Sequence, residues 1–282
     1  MSDPITLQIL GSGSSGNCAF VRVGDTRLLI DAGISCRRIE QTLASHGESI
    51  ENLSAILVTH EHSDHIRGLK TLLSKYPDTE IFATRGTQIG SERLVEAAQS
   101  WTTIKAESPF EIGEVRVHPF KLSHDANEPT GFRLDADGFS MAFATDLGVW
   151  NNTILEHLSG CRVIILEANH DLDMLRAGPY PAYLQKRVAS SRGHLSNDQA
   201  RSLLSRLPAP RPEWVILAHL SAKNNAADVA LNEVKKALKP EDTTRLIAAG
   251  PKPAAPFDVA RLATPKRPAK TPSQGSLFST SN

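Results

Sequence analysis

Thr59-His60-Glu61-His62-Ser63-Asp64-His65 decides how this 282-residue chain folds. It follows the apolar run Ala55-Ile56-Leu57-Val58, which reads as a buried strand. It leads into Ile66-Arg67-Gly68-Leu69-Lys70-Thr71-Leu72-Leu73, whose apolar spacing predicts a helix over 64–76. Three imidazoles and two carboxylates within six residues are costly to hold together unless a cation sits among them, so a divalent metal centre is the natural explanation. In an extended loop side chains alternate, so His60 and His62 point the same way and can grip one ion. The start of a helix turns Asp64 and His65 toward a neighbouring point. This pattern suits two ions.

Working outward, four more polar residues stand at the ends of apolar runs. Asp31 closes Leu28-Leu29-Ile30, and His124 follows Phe120-Lys121-Leu122-Ser123. Asp146 follows Met141-Ala142-Phe143-Ala144-Thr145, and His219 follows Val215-Ile216-Leu217-Ala218. Strand ends are where a sheet holds ligands rigidly. The remaining pattern predicts strands near 5–10, 18–23, 27–31, 54–59, 115–121, 130–135, 139–145, 162–167, 214–219 and 244–248. Helices are predicted near 36–46, 151–158, 181–190, 197–206 and 225–238, with strands and helices alternating through 80–106.

Asp31, the H-x-H-x-D-H loop, His124, Asp146 and His219, in this order, resemble the five motifs of the metallo-β-lactamase fold superfamily, over about residues 5 to 248. The strings G-S-G-S-S-G-N-C at 11–18, E-A-N-H-D at 167–171, G-H-L-S-N at 193–197 and A-H-L-S-A-K-N-N at 218–225 resemble its YycJ/WalJ-like branch, which is associated with nuclease activity on DNA. The resemblance implies an α/β fold, a four-layer αββα sandwich, with the hydrolase domain over 1–249. It further implies that His60, His62 and His124 hold a first ion, that Asp64, His65 and His219 hold a second, and that Asp146 bridges them. Asp64 thereby belongs to the catalytic machinery as well. Asp31 is implied to accept a hydrogen bond from a ligand histidine and fix its tautomer; the alternative is a turn-capping aspartate before Ala32-Gly33. Two such cations activate a water and neutralise charge on a phosphodiester oxygen. Zinc suits the histidine-rich shell, and manganese suits carboxylates with a phosphate substrate, so both remain open.

His194 precedes the helical pattern of 197–206, and it could simply cap or pack on that helix. The arrangement is also similar to the H-S-T segment of tRNA 3′-end-processing relatives, where a histidine oriented by an upstream glutamate helps the leaving group depart. Glu167 stands in the matching position, so Glu167 and His194 are expected to act as a pair. His170 is a substrate-contact candidate. Gly11-Ser12-Gly13-Ser14-Ser15-Gly16-Asn17 lacks the lysine of a P-loop and the following helix of a dinucleotide fingerprint, and it reads as a tight strand connection. By resemblance it lies near the site, where Ser15 and Asn17 could touch phosphate; a simple turn is the alternative.

The formal net charge of zero excludes a strongly basic, nonspecific nucleic-acid binder. Local cations, Arg37-Arg38, Arg85, Lys186-Arg187 and Arg192, fall near expected site loops and are candidates for a phosphate backbone. Three scattered cysteines, Cys18, Cys36 and Cys161, make no disulfide framework, so a reducing cytoplasm is expected. No apolar run approaches the ~20 residues of a membrane span, and Met1-Ser2-Asp3-Pro4 opens onto a strand instead of a signal peptide. From Gly250 prolines punctuate a segment with few large apolar residues, which predicts a flexible tail over 250–282. Near its end, Gln274-Gly275-Ser276-Leu277-Phe278 resembles the peptide by which bacterial replication and repair proteins bind the sliding clamp, with Gln274, Leu277 and Phe278 filling pockets. The expected function is a two-metal phosphodiesterase, a DNA exonuclease in repair or replication. The alternatives are an RNA-processing nuclease and a thioester or lactone hydrolase.

Overall fold

The alternation of apolar and polar residues in the strands, and the one-sided apolar stripes of the helices, build two sheets with helices on their outer faces. The structure, a computed structural model, describes residues 5–92, 95 and 101–258. The strands are β1 (Ile5–Gly11), β2 (Cys18–Val23), β3 (Thr26–Ile30), β4 (Ala55–Leu57), β5 (Ile81–Thr84), β6 (Trp101–Ile104), β7 (Phe110–Ile112), β8 (Val115–Lys121), β9 (Thr130–Ala136), β10 (Phe139–Ala144), β11 (Val163–Glu167), β12 (Trp214–Ala218), β13 (Arg245–Ala248) and β14 (Phe257–Asp258). The helices are α1 (Cys36–Ala44), α2 (Ser63–Ile66), α3 (Leu69–Lys75), α4 (Arg85–Ser91), α5 (Asn152–Leu158), α6 (Leu172–Ala177), α7 (Ala182–Val188), α8 (Asn197–Arg206) and α9 (Ala227–Lys235). One sheet runs β14-β1-β2-β3-β4-β5-β6 and the other β13-β12-β11-β10-β9-β8-β7.

Period-two alternation divides the strand residues between two cores. Leu7, Val21, Leu28, Val117, Phe132, Met141 and Ile165 meet between the sheets. Their neighbours turn outward: Phe20, Leu29 and Ile56 meet Ile39, Leu43, Leu69 and Leu72 of α1 and α3, and Ile164, Leu166, Val215 and Leu217 meet Leu203, Leu204, Ala230 and Val234 of α8 and α9. The result is the four-layer αββα sandwich expected from the element order.

Three differences from the sequence reading have local causes. The single helix expected over 64–76 is broken into α2 and α3 at Gly68, whose N–H reaches the carbonyl of Ala32 at 2.8 Å. A Cβ there would sit 2.1 Å from the Ile34 carbonyl oxygen, so only glycine permits this close approach. The short β7 and α6 were not anticipated, although α6 carries a clear start signal: Asp171 accepts hydrogen bonds from the N–H groups of Asp173 and Met174. Finally, the chain beyond β13 crosses to the first sheet. Ser12 N–H donates to the Gly250 carbonyl at 3.0 Å and Ala254 N–H to that of Ile9 at 2.8 Å, and β14 pairs antiparallel with β1. Residues 250–258, counted with the tail on composition, thus lie along β1. Gln274, Leu277 and Phe278 lie outside the described residues.

Candidate metal centre and active site

The site lies where β3, β4, β10, β11 and β12 end. Asp31 and His219, the first residues after β3 and β12, and Asp146, the second after β10, have φ of 60°, 56° and 62°. Left-handed backbone at a residue other than glycine costs about 1–3 kcal/mol and collects where function over-determines the geometry. Three such residues at three strand ends mark this rim. Gly33 makes the approach possible: a Cβ there would be 1.6 Å from the carbonyl oxygen of Asp64, so the β3–α1 loop and the histidine loop touch backbone to backbone.

Five of the imidazoles, those of His60, His65, His124, His194 and His219, are aimed by a partner on their far side. His65 Nδ1 lies 2.7 Å from Asp31 Oδ2, the relation expected of Asp31. His124 Nδ1 lies 2.9 Å from the Gly193 carbonyl oxygen, and His60 Nδ1 lies 3.0 Å from Thr59 Oγ1. His219 Nδ1 and His194 Nδ1 lie 2.8 and 2.9 Å from the same oxygen, Oε1 of Glu167. Since a carbonyl or carboxylate can only accept, the Nδ1 atoms of His65, His124, His194 and His219 carry hydrogen, and Nε2 is left to face the site.

The inward atoms converge. Ligand atoms of His60, His62 and His124 lie within 4.8 Å of one another, as do those of Asp64, His65 and His219, and those of His60, His65 and Asp146. Asp146 thus stands between the two histidine groups. A fourth grouping joins Asp146 and His219 to Glu167 and His194. There Glu167 is already saturated: its other oxygen, Oε2, accepts from the N–H groups of Leu147 and Leu195 at 2.8 and 3.0 Å, so it serves as an orienting acceptor. His60 Nε2, Asp146 Oδ2 and His219 Nε2 are buried without a hydrogen bond to protein. Orphaned buried donors and acceptors are rare, and a set of them converging on one point fits metal ions.

The electrostatics agree. Burial opposes charge on Asp146, yet the surrounding histidines, His219 and His65 foremost, hold its carboxyl well below the usual range. Burial likewise opposes a proton on His219, but Asp146, Asp64 and Glu167 together lift it to about 10. His65 is raised against its burial by Asp31 and Asp146, whereas burial and the neighbouring His65 push His60 well down. The buried carboxylates therefore demand positive charge, which protons on His65 and His219 supply in the metal-free cluster and divalent ions would supply in their place. Burial opposes ionisation of Glu167 too; the His194 charge and the hydrogen bonds from both histidines outweigh it and bring the carboxyl to about 2.

A pocket opens over the cluster, lined by residues that include Ser14, His62, Asp64, His124, Asp146, His194 and His219. The other candidates fare differently. Asn17 turns toward the histidine loop, its Nδ2 lying 3.3 Å from Asp64 Oδ2 and 3.0 Å from His65 Nε2, and Ser14, not Ser15, lines the pocket. His170 is 1 % exposed and absent from the pocket lining, and burial depresses its pKa to about 4. Arg38 is committed to the carbonyls of Leu10 and Pro251. Glu61, the second carboxylate of the histidine run, braces the neighbouring loop by accepting from Asn127 N–H at 2.8 Å.

Among the residues that escaped the sequence reading, Thr59 and Asp125 touch the candidate ligands directly. Thr59 Oγ1 touches both Asp31 oxygens, at 3.0 and 2.9 Å, as well as His60. Asp125 Oδ1 lies 3.3 Å from His124 Nε2 while its Oδ2 accepts from Arg187 Nε at 2.5 Å. Their signal was adjacency, since each directly neighbours a predicted ligand.

Residues 26–220 match the family model described as "Beta-lactamase superfamily domain". The chain belongs to the metallo-β-lactamase superfamily, in its YycJ/WalJ branch. "Exodeoxyribonuclease YycJ" of Bacillus anthracis is 33 % identical over 239 residues, covering 82 % of this chain and 88 % of that protein. "Exodeoxyribonuclease WalJ" of Streptococcus pneumoniae is 34 % identical over 227 residues, covering 79 % and 84 %. Among solved structures, the metallo-β-lactamase fold protein YhfI from Bacillus subtilis superposes with a TM-score of 0.69 at 15 % identity over 90 % of this chain and 99 % of that one, a likeness of fold. As a member of this superfamily the chain is a metal-dependent hydrolase, and its histidine and aspartate clusters fit a dinuclear centre. No helix among the described residues is long and apolar enough to cross a membrane.

Proposed function

We propose that this hydrolase is a phosphodiesterase that shortens DNA from its ends. The observation that carries the reading is its likeness, over 82 % and 79 % of its length, to two proteins named exodeoxyribonucleases. The site chemistry supports it. His60, His62 and His124 would hold one ion, Asp64, His65 and His219 the other, and Asp146 both. Zinc is favoured by the five imidazoles, with manganese the competing occupant. Bound there, two divalent ions supply an activated water and neutralise charge on a phosphoryl oxygen.

The chain's own residues do the rest. Asp31, Glu167 and the Gly193 carbonyl hold His65, His219 and His124 with Nε2 inward, so the rings are already turned toward an incoming ion. His194, aimed by Glu167 at 2.9 Å, faces the pocket. Burial opposes its proton, but the Glu167 charge raises its pKa, which suits it to donate from Nε2 to the departing sugar oxygen. The Glu167–His194 pair is equally suited to a ribose leaving group, which keeps an RNA-processing nuclease as the second reading.

The test is parallel turnover, with zinc or manganese, of end-labelled DNA, RNA, a small phosphodiester and a thioester. Stepwise shortening of DNA is expected; thioester cleavage without DNA cleavage would refute the reading. A genome-maintenance role further proposes Gln274, Leu277 and Phe278 as a sliding-clamp tether. A synthetic 268–282 peptide should then bind purified clamp and lose binding when Leu277 and Phe278 become Ala. No binding at high micromolar concentration would remove the tether.

A further inference from the structure

One wall of the pocket is built by the segment that enters and forms α7: Tyr180, Arg187 and Val188 line it. Tyr183 and Arg187 stand an i,i+4 pair apart on this helix, so their side chains share a face. Tyr183 is 74 % exposed, more than any other large apolar side chain among the described residues. The chain is poor in aromatics and has three tyrosines in all, two of which lie on this segment: Tyr180 lines the pocket, and Tyr183 stands one helical turn before the pocket-lining Arg187. A lone exposed ring needs no explanation. An exposed ring beside a pocket-lining guanidinium, with a second ring in the pocket wall, is the pairing by which proteins hold single strands: cations on phosphates, aromatic faces under bases.

Arg187 is pre-aimed for such a role. Its Nε donates to Asp125 Oδ2 at 2.5 Å, and the other oxygen of Asp125 lies 3.3 Å from His124 Nε2, which places the pair at the edge of the metal cluster. With Nε engaged, the two Nη groups of the fork are the donors that remain for a phosphate oxygen. Lys186 is exposed alongside.

We infer that the α7 face binds an unpaired nucleotide next to the phosphate held in the pocket, with its base stacked on Tyr183 and its own phosphate on Arg187. The inference rests on the nuclease reading and names its substrate form, a single-stranded end. Bases within a duplex have both faces covered by neighbours, so the stack with Tyr183 is open to an unpaired base.

The experiment uses the full chain with its metals and a phosphorothioate-linked single strand that resists cleavage and carries 2-aminopurine near its end. Stacking on Tyr183 quenches that fluorophore. Tyr183→Ala should abolish the quenching and raise Kd about 5- to 150-fold, the worth of one stacked base. Tyr183→Trp should restore both, and Arg187→Gln should weaken binding while flattening its salt dependence. Unchanged quenching and Kd in Tyr183→Ala overturn the inference, and so does an equal loss on a blunt duplex, which would mean stacking of a terminal pair. If the nuclease reading itself fails, wild-type protein cleaves no nucleic acid in the parallel turnover assay. If only this inference fails, wild type and Tyr183→Ala cleave single strands alike.

Discussion

Glu167→Gln is the most informative single change, because one fully buried carboxylate holds four N–H groups. Glu167 is fully buried; Oε1 accepts from His194 and His219, and Oε2 from the backbone of Leu147 and Leu195. Glutamine has nearly the same shape but only one accepting oxygen. If that oxygen keeps the backbone pair, the amide NH₂ faces the two imidazoles. Each must then accept at Nδ1 and move its hydrogen to Nε2, which removes His219 as a ligand. Loss of such an orienting partner typically costs 10- to 100-fold in metal affinity. If the oxygen instead keeps the histidines, the NH₂ confronts two buried backbone donors. Each orphaned donor costs about 1–3 kcal/mol, so stability falls by about 2–6 kcal/mol and Tm by about 4 °C or more. Either arrangement also slows turnover through His194. Elemental analysis, thermal unfolding and single-turnover cleavage, measured on one preparation, read all three. A variant with wild-type metal content, Tm and turnover would refute the reasoning that Glu167 orients this site.

Further outcomes follow from the same geometry. His194→Ala should retain both ions and lower turnover about 10²- to 10⁴-fold, because His194 is partly exposed at the pocket and only its proton is lost; near-normal turnover would leave it a packing residue. Asp31→Asn keeps a residue tolerant of left-handed backbone but takes the charge from behind His65, so metal affinity should drop about 10- to 100-fold while the fold survives, as read by metal titration and circular dichroism. Metal uptake should release protons: His219 is lifted to about 10 without metal, so at neutral pH an ion displaces its proton. Apparent affinity then weakens as pH falls, about tenfold per unit for each proton displaced, and calorimetry in buffers of different ionisation enthalpy counts those protons.

The fold and the candidate ligands that the structure brings together were legible in the sequence because both depend on short-range pattern. Period-two alternation in β1, β2, β3 and β8–β12 states which residues face between the sheets, and a polar residue ending an apolar run states where a strand stops. The H-x-H-x-D-H loop carries four inward groups within one strand-to-helix turn, so its chemistry is complete locally. What the sequence could not decide are contacts between residues far apart in the chain. Glu167 was placed behind His194; only the tertiary structure brings His219, 52 positions later, onto the same oxygen. Asp125 and Arg187 are 62 positions apart, and their ion pair forms the pocket wall only once α7 folds over the end of β8. Asn17 and His170 had the right residue types at a loop near the site, but direction is set by packing: Asn17 is drawn to Asp64 by the close contact at Gly33, and His170 is held inward by its bridge to Ser196. Gly68 shows the same division, since an apolar helical pattern runs through it and the carbonyl that draws its N–H out of the helix comes from Ala32 in another loop. Local pattern specifies which groups are available and on which face; the direction of each group, and the partner it meets, are properties of the assembled layers.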